Sequence, residues 1–420
     1  MSRAWTIAIA TALAAVAGPA LADDLNPLGD GSGFSNGDLL RGDSAGCENC
    51  QDQPTEWNDP PFDFDWRVGL RGAVTQDADG SKVEFLALPE VSLTQNTMRG
   101  GYSLGASAEL TSDLEGNARV GSLTLDGSAD YQVDAVTRAG LKGSFTLSQD
   151  NADDPDYAGN VATAPLVVGG EVTGEIGREL GPFQAALRAS AGRTVFGETT
   201  YDDASTSAND FQNTTVGGLG GRLDYRLTPG VSAFVDGEAS YEAYDALSPT
   251  LLVSLDNVTY TGRAGLSARM LSVLELEGSL GLAYRDFGDG TLNDFTAVLY
   301  DAKATFRPDE TLSFTGTLST SIGSPGTTSG ATAKLTYAAI GEAAYQVNPW
   351  LRLRGSAGWS EAHYQGIDTD EYKWNVGVGA DYLLTQHMDA TADYTYSQST
   401  TTPAAAVEEQ RLMLGINIHR

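Results

Sequence analysis

From about Trp66 to the C-terminus, apolar and polar residues alternate in long runs. Each run holds roughly fifteen residues, whereas ordinary soluble strands average about five or six. A period of two places successive side chains on opposite faces of a strand. Strands of this length suit a chain that crosses a bilayer at a tilt and stands out beyond it. The pattern predicts an all-β fold, a transmembrane antiparallel up-and-down β-barrel.

The connections set the expected topology. Tight turns fall near Asn96-Thr97, Asp134-Ala135, Gly181-Pro182, Thr228-Pro229-Gly230, Leu271-Ser272, Pro308-Asp309, Asn348-Pro349 and Gln386-His387. Longer loops lie between them, at 150–160, 201–210, 245–254, 286–294, 324–330, 365–370 and 400–407. In outer-membrane barrels the short turns face the periplasm and the long loops face outward. The count predicts about 18 strands, with 16 as the alternative because the first two hairpins are poorly marked. A propeller also repeats at about 40–45 residues, but its blades hold four short strands rather than two long ones.

The two faces differ in chemistry. After Pro349, Leu351, Leu353, Gly355, Ala357 and Trp359 share one face, while Arg352, Arg354, Ser356 and Gly358 share the other. After Ser272, Leu274, Leu276, Gly278, Leu280, Leu282 and Tyr284 oppose Glu275, Glu277 and Ser279. Trp374, Val376, Val378, Ala380 and Tyr382 oppose Lys373, Asn375 and Asp381, and Leu412, Leu414, Ile416 and Ile418 oppose Arg411 and Asn417. Folding about the tight turns predicts Arg269 opposite Glu275, Glu342 near Arg354, and Arg222 near Asp236, pairs that stabilise a sheet by roughly 0.2–1 kcal/mol each. Aromatic residues gather at the run ends. Tyr225, Tyr345, Trp350 and Tyr382 lie near the turns, and Tyr244, Tyr284, Phe287, Tyr364, Tyr372 and Tyr396 near the loops. Two such belts are expected at the two lipid interfaces.

Composition then narrows the compartment. Arg3, the apolar stretch from Ala4 to Val16, and Ala20-Leu21-Ala22 read as a secretory signal peptide over residues 1–22. Residues 23–61 show neither period and read as an irregular periplasmic segment or a partial plug, ahead of a barrel over 62–420. Mean hydropathy is -0.21. That value excludes a helical membrane protein but suits a barrel, in which only alternate residues meet lipid. A formal net charge of -31 argues against nucleic acid and favours cations.

The two cysteines, Cys47 and Cys50, read as a small local disulfide, since Gln51 stands where haem attachment needs histidine and no second pair completes a zinc site. Asp153, Asp154 and Asp156 offer oxygens for calcium, yet no loop has the EF-hand order. No motif for a cofactor or metal occurs. His363 has Glu361 on its own face, but Ser360 points the other way and no nucleophile elbow or zinc-protease motif is present, so enzyme chemistry is not expected.

The last two hundred or so residues resemble the outer-membrane β-barrel porin family of Gram-negative, mainly alphaproteobacterial, bacteria. Tyr225-Arg226-Leu227-Thr228-Pro229, Tyr284-Arg285-Asp286-Phe287, Phe306-Arg307-Pro308, the Tyr345-to-Trp350 turn, Tyr364-Gln365-Gly366-Ile367-Asp368 and Tyr382-Leu383-Leu384-Thr385 are similar to its repeated hairpin pattern. The ending Ile416-Asn417-Ile418-His419-Arg420 departs from the terminal aromatic common in barrels. The resemblance implies an outer-membrane location, a pore or export role linked in some members to surface polysaccharide, and no catalytic residues.

A barrel of 16–18 strands normally leaves an aqueous channel. The expected lining is Arg222, Asp236, Glu238, Arg269, Glu275, Glu277, Glu342, Arg352, Arg354, Lys373, Asp381, Asp389 and Asp393, with a preference for cations. The expected partners are outer-membrane lipid and lipopolysaccharide, the barrel-assembly machinery, and small solutes or ions, in a monomer or a homotrimer. The alternative is an interaction barrel with a filled lumen, whose acidic loops hold surface glycan or lipid A through divalent cations.

Overall fold

A computed structural model describes residues 62–77, 80–114, 118–149, 161–270, 273–325, 330–402 and 406–420. The expected signal peptide, the segment 23–61 with Cys47 and Cys50, the turn Leu271-Ser272 and the acidic loop 150–160 lie outside the described residues.

Eighteen strands follow one another in the barrel wall. They are β1 Asp63–Asp77, β2 Gly80–Thr97, β3 Gly100–Asp113, β4 Ala118–Gln132, β5 Thr137–Gln149, β6 Leu166–Leu180, β7 Phe183–Phe196, β8 Thr214–Thr228 and β9 Val231–Tyr244. The second half comprises β10 Asn257–Met270, β11 Leu274–Phe287, β12 Phe295–Phe306, β13 Leu312–Gly323, β14 Ala333–Asn348, β15 Leu351–Gln365, β16 Asp370–Thr385, β17 Met388–Thr401 and β18 Val407–His419. Each strand pairs antiparallel with the next, and β18 returns to β1 with Arg67 opposite His419 and Gln76 opposite Gln410. Closure leaves no free sheet edge at the chain ends, which is what a sheet in hydrocarbon requires. A three-stranded patch of Val161–Thr163, Thr199–Tyr201 and Thr206–Ser207 sits on the loop side.

Three of the periplasmic turns share one device, a polar side chain that accepts the turn's backbone N–H groups. Asn348 Oδ1 accepts from the N–H of Trp350 at 3.0 Å and of Leu351 at 2.9 Å. Asp134 Oδ1 accepts from Val136 at 2.8 Å, and Asp309 Oδ1 from Thr311 at 2.8 Å and Leu312 at 3.0 Å. Such side chains mimic a backbone turn locally. The register shifts at the last residue before the turns of β8, β14 and β16, between Arg226 and Thr228, Gln346 and Asn348, and Leu383 and Thr385. The first turn falls two residues later than expected, at Met98-Arg99, because β2 runs on through Thr97.

The wall is apolar outside and polar inside. Leu187, Leu219 and Leu280 are 67%, 69% and 64% exposed, while Arg222 and Arg285 on the other face are 5% and 4% exposed. A water-soluble sandwich would show the reverse. The exposed face carries the belts: Tyr225, Tyr345, Trp350 and Tyr382 toward the turns, and Tyr241, Tyr260, Tyr284, Tyr300, Trp359, Tyr372 and Trp374 toward the loops. Tyr244, Phe287 and Tyr364 correct the expected outer belt. Strand parity turns them inward, where Tyr364 donates to Glu371 Oε2 at 3.4 Å.

Candidate functional site: the charged inner face

Period-two parity within each strand, carried round the barrel by the register, sorts every wall residue onto one of two faces. All thirteen residues singled out in the sequence fall on the inward face, opposite to the exposed leucines. They do not form one cluster. The structure divides eleven of them, all but Glu342 and Arg352, among several ion-pair networks and adds cations and carboxylates that the sequence reading passed over.

The largest network spans β7 to β12. Arg188 Nη2 lies 2.8 Å from Glu238 Oε2, and Arg263 Nε lies 2.9 Å from Asp301 Oδ2. Arg222 grips two carboxylates, with Nη2 3.0 Å from Asp224 Oδ1 and Nη1 2.9 Å from Glu277 Oε1. Its guanidinium rests 3.7 Å above the centroid of the Phe234 ring, a cation–π contact. Asp236 stands between Arg188 and Arg263, 3.9 Å from each, so charge rather than a hydrogen bond holds it. Arg222 is opposite Asp236 in register as expected, yet its hydrogen bonds run to Asp224 and Glu277.

Glycines make these reaches feasible. Arg188 on β7 meets Glu238 on β9 across Gly220 of β8, where an added Cβ would stand 3.3 Å from Arg188 Nη2. Arg263 on β10 meets Asp301 on β12 across Gly281, where a Cβ would come within 2.7 Å of Arg263 Cγ. Gly265 gives its place to the Phe234 ring. A strand glycine of this kind marks close approach by a neighbour.

Three further networks line the rest of the wall. Arg354 Nε is 2.8 Å from Asp381 Oδ2, and its Nη2 is 2.8 Å from Asp393 Oδ1, passing over Gly379. This replaces the expected Glu342–Arg354 pair, because the register sets Ser356 opposite Glu342 and Ala344 opposite Arg354. Lys334 Nζ lies 2.6 Å from Glu371 Oε2, and Lys373 bonds the same carboxylate. Glu84 pairs with Arg119 at 3.3 Å and with Arg411 at 3.9 Å. Near the periplasmic rim, Asp389 accepts from Asn417 at 2.7 Å and lies 3.2 Å from His419. Arg269 and Glu275 meet at 3.2 Å, as the turn predicted.

The missed members were within reach of parity. Arg188, Arg263 and Asp301 follow from the same alternation that gave Arg222 and Glu277. Their partners lie two or more strands away, however, so the pairs depend on whole-barrel register rather than on one turn.

His363 sits on the outward face. Its Nδ1 is 2.7 Å from Asp370 Oδ1 and its Nε2 is 3.3 Å from Glu361 Oε1. Ser360 belongs to the inner face. Among the described residues no cluster of His, Cys, Asp and Glu is placed to hold a metal ion. In the outer loops, hydrogen bonds from the Ser205 hydroxyl and N–H hold Asp203 below the usual carboxylate range, and those from Thr311 do the same for Asp309 in a periplasmic turn.

A closed barrel of eighteen long strands, apolar outside and charged within, defines an outer-membrane porin-type barrel. The family model described as "Putative beta-barrel porin 2" matches residues 75–420, and the chain belongs to that family. Among solved structures, Pseudomonas aeruginosa OccK3 (OpdO) is similar at 14% identity over 85% of this chain and 96% of that one, with a TM-score of 0.43. Acinetobacter baumannii OccAB4 is similar at 10% identity over 85% and 98%, with a TM-score of 0.40. The FrpB iron transporter from Neisseria meningitidis is similar at 12% identity over 80% and 62%, with a TM-score of 0.43. No curated protein sequence matches the chain.

Proposed function

We propose that the barrel is a channel for small hydrophilic solutes and ions, with a preference for cations set by the β7–β12 network. The observation that supports this reading is the composition of that network: three arginines, Arg188, Arg222 and Arg263, stand among five carboxylates, Asp224, Asp236, Glu238, Glu277 and Asp301. Fixed charges of one sign in a water-filled passage attract counter-ions and repel co-ions. The thirteen residues named from the sequence line the passage on this reading, and the ion pairs keep their side chains against the wall. Inward glycines give the crossing side chains room to lie flat.

Liposome swelling tests the proposal. Vesicles carrying the refolded barrel are diluted into isosmotic arabinose, lysine hydrochloride or sodium glutamate. The expected order of rates is lysine, then arabinose, then glutamate. Glutamate entering faster than lysine contradicts the charge preference, and no swelling in any solute contradicts the channel.

A further inference from the structure

The wall has one seam where ladder pairing gives way to side chains. Neighbouring strands elsewhere share ten or more register pairs, as at the β1–β18 closure. Between β12 and β13 the pairing covers only five, from Ala302 opposite Leu318 to Phe306 opposite Phe314. Beyond it β12 stays paired with β11 as far as Phe295, and β13 with β14 as far as Gly323. Two strand edges therefore face each other. Tyr300 lies six residues above Phe306, about 14 Å at a rise of ~3.4 Å and a tilt of ~45°, within an apolar band ~25 Å tall. The seam thus occupies the outer half of the span.

Three side chains bridge it. Thr320 Oγ1 accepts from the Tyr300 N–H at 2.9 Å and donates to the Tyr300 carbonyl at 2.9 Å. Asp301 Oδ1 accepts from the Thr320 N–H at 3.3 Å. Tyr337 on β14, opposite Thr320 in register, reaches across β13 to donate its hydroxyl to the Val298 carbonyl at 3.3 Å. Its ring lies 6.0 Å from that of Tyr300. Backbone groups in hydrocarbon need partners, and here hydroxyls supply them.

On the inward face beside the seam, β12 presents Phe295, Ala297 and Leu299, with Ala283 and Phe287 of β11 next to them, Arg285 between those two, and Ser319 and Ser321 on the β13 edge. Ala283, Ala297, Leu299 and Phe287 are buried, and the Phe287 and Phe295 rings lie 6.4 Å apart. We propose that the β12–β13 seam is a latched lateral passage, through which small apolar solutes leave the lumen for the outer leaflet. Releasing the latch frees four backbone groups, those of Tyr300, Val298 and Thr320, where opening a full ladder would free many more. The apolar β12 side of the seam favours an apolar solute: a charged or strongly hydrated molecule gains nothing against Phe295, Ala297 and Leu299. The passage rests on the channel reading, because its solute must first occupy the lumen.

The test is uptake of 1-N-phenylnaphthylamine by Gram-negative cells expressing the full chain. Uptake should exceed that of cells without the chain, and should rise severalfold again in the Thr320→Val, Tyr337→Phe double variant. Single-channel conductance and entry of a hydrophilic chromogenic lactam should not change. Equal dye uptake in native and double-variant cells overturns the passage, and so does a matching rise in lactam entry, which marks a general leak. Should the double variant fail to give a heat-modifiable band, photolabelling of the native barrel with an apolar diazirine decides. Label on Leu299 and Ala297 supports the passage. Label confined to outward residues such as Leu280 and Leu282 overturns it. A conducting barrel without dye uptake removes the passage and leaves the channel, whereas a non-conducting barrel removes the channel reading itself.

Discussion

Replacing Arg222 by methionine removes one lumen charge while leaving an unbranched side chain over Phe234. Arg222 is buried, and its two carboxylate partners, Asp224 and Glu277, remain in place after the change. Their charge then faces the lumen without its counterpart. For an ion about 8 Å away in a water-like medium, one unit charge is worth about 0.5 kcal/mol. Cation and anion feel it with opposite sign, so their difference shifts by about 1 kcal/mol before screening. Screening at ~0.15 M reduces the gain in the cation-to-anion permeability ratio to roughly twofold, and at ~0.01 M it stays nearer fourfold. Reversal potentials across a salt gradient, recorded at both ionic strengths on native protein and R222M, read the ratio directly. An unchanged ratio at both strengths, or a shift toward anions, refutes the assignment of Arg222 to the ion path. Folding must be checked alongside, because breaking a buried pair is destabilising by about 3–5 kcal/mol when water is excluded. The residual exposure of Glu277 places this case toward the lower end.

Two further predictions follow from the inside-out wall and from the turns. Leu280→Arg on the lipid face should destabilise the refolded barrel by about 2–4 kcal/mol in urea titration, while Ser279→Arg, one residue away on the inner face, should change it far less; equal losses would contradict the assignment of faces. At Asp309, hydrogen bonds from the Thr311 hydroxyl and N–H hold the carboxyl below its ordinary range. A lowered folded-state pKa means stability that is present above the unfolded value of about 4 and is lost as pH falls through the folded one. Acid titration of the folded band should therefore show a loss below pH ~4 that is smaller in Asp309→Asn, and identical profiles in the two proteins would contradict it.

Much of the architecture was legible because a membrane wall imposes a strict period. The alternation at Leu274–Tyr284 and Leu351–Trp359 fixed both faces, and the tight turns gave the strand count. The first hairpin was obscure for a physical reason: β1 and β2 are joined by two residues, 78–79, at the end where long loops were sought. The small patch of Val161–Thr163, Thr199–Tyr201 and Thr206–Ser207 sits in polar loop sequence with no period to announce it. Charge pairing was legible only where one turn set the register, as for Arg269 and Glu275. Arg222 with Glu277, and Arg354 with Asp393, join strands two or three apart, and a one-residue change in any intervening register would break them. The seam between β12 and β13 was marked only by the unbroken apolar run Ala297–Tyr300, which a reading by alternation passes over.

The most direct test of the channel is single-channel recording from the refolded mature chain in a planar bilayer under a salt gradient. Stable conductance steps with a cation-biased reversal potential are the predicted result. A folded, heat-modifiable barrel that passes no current would contradict it.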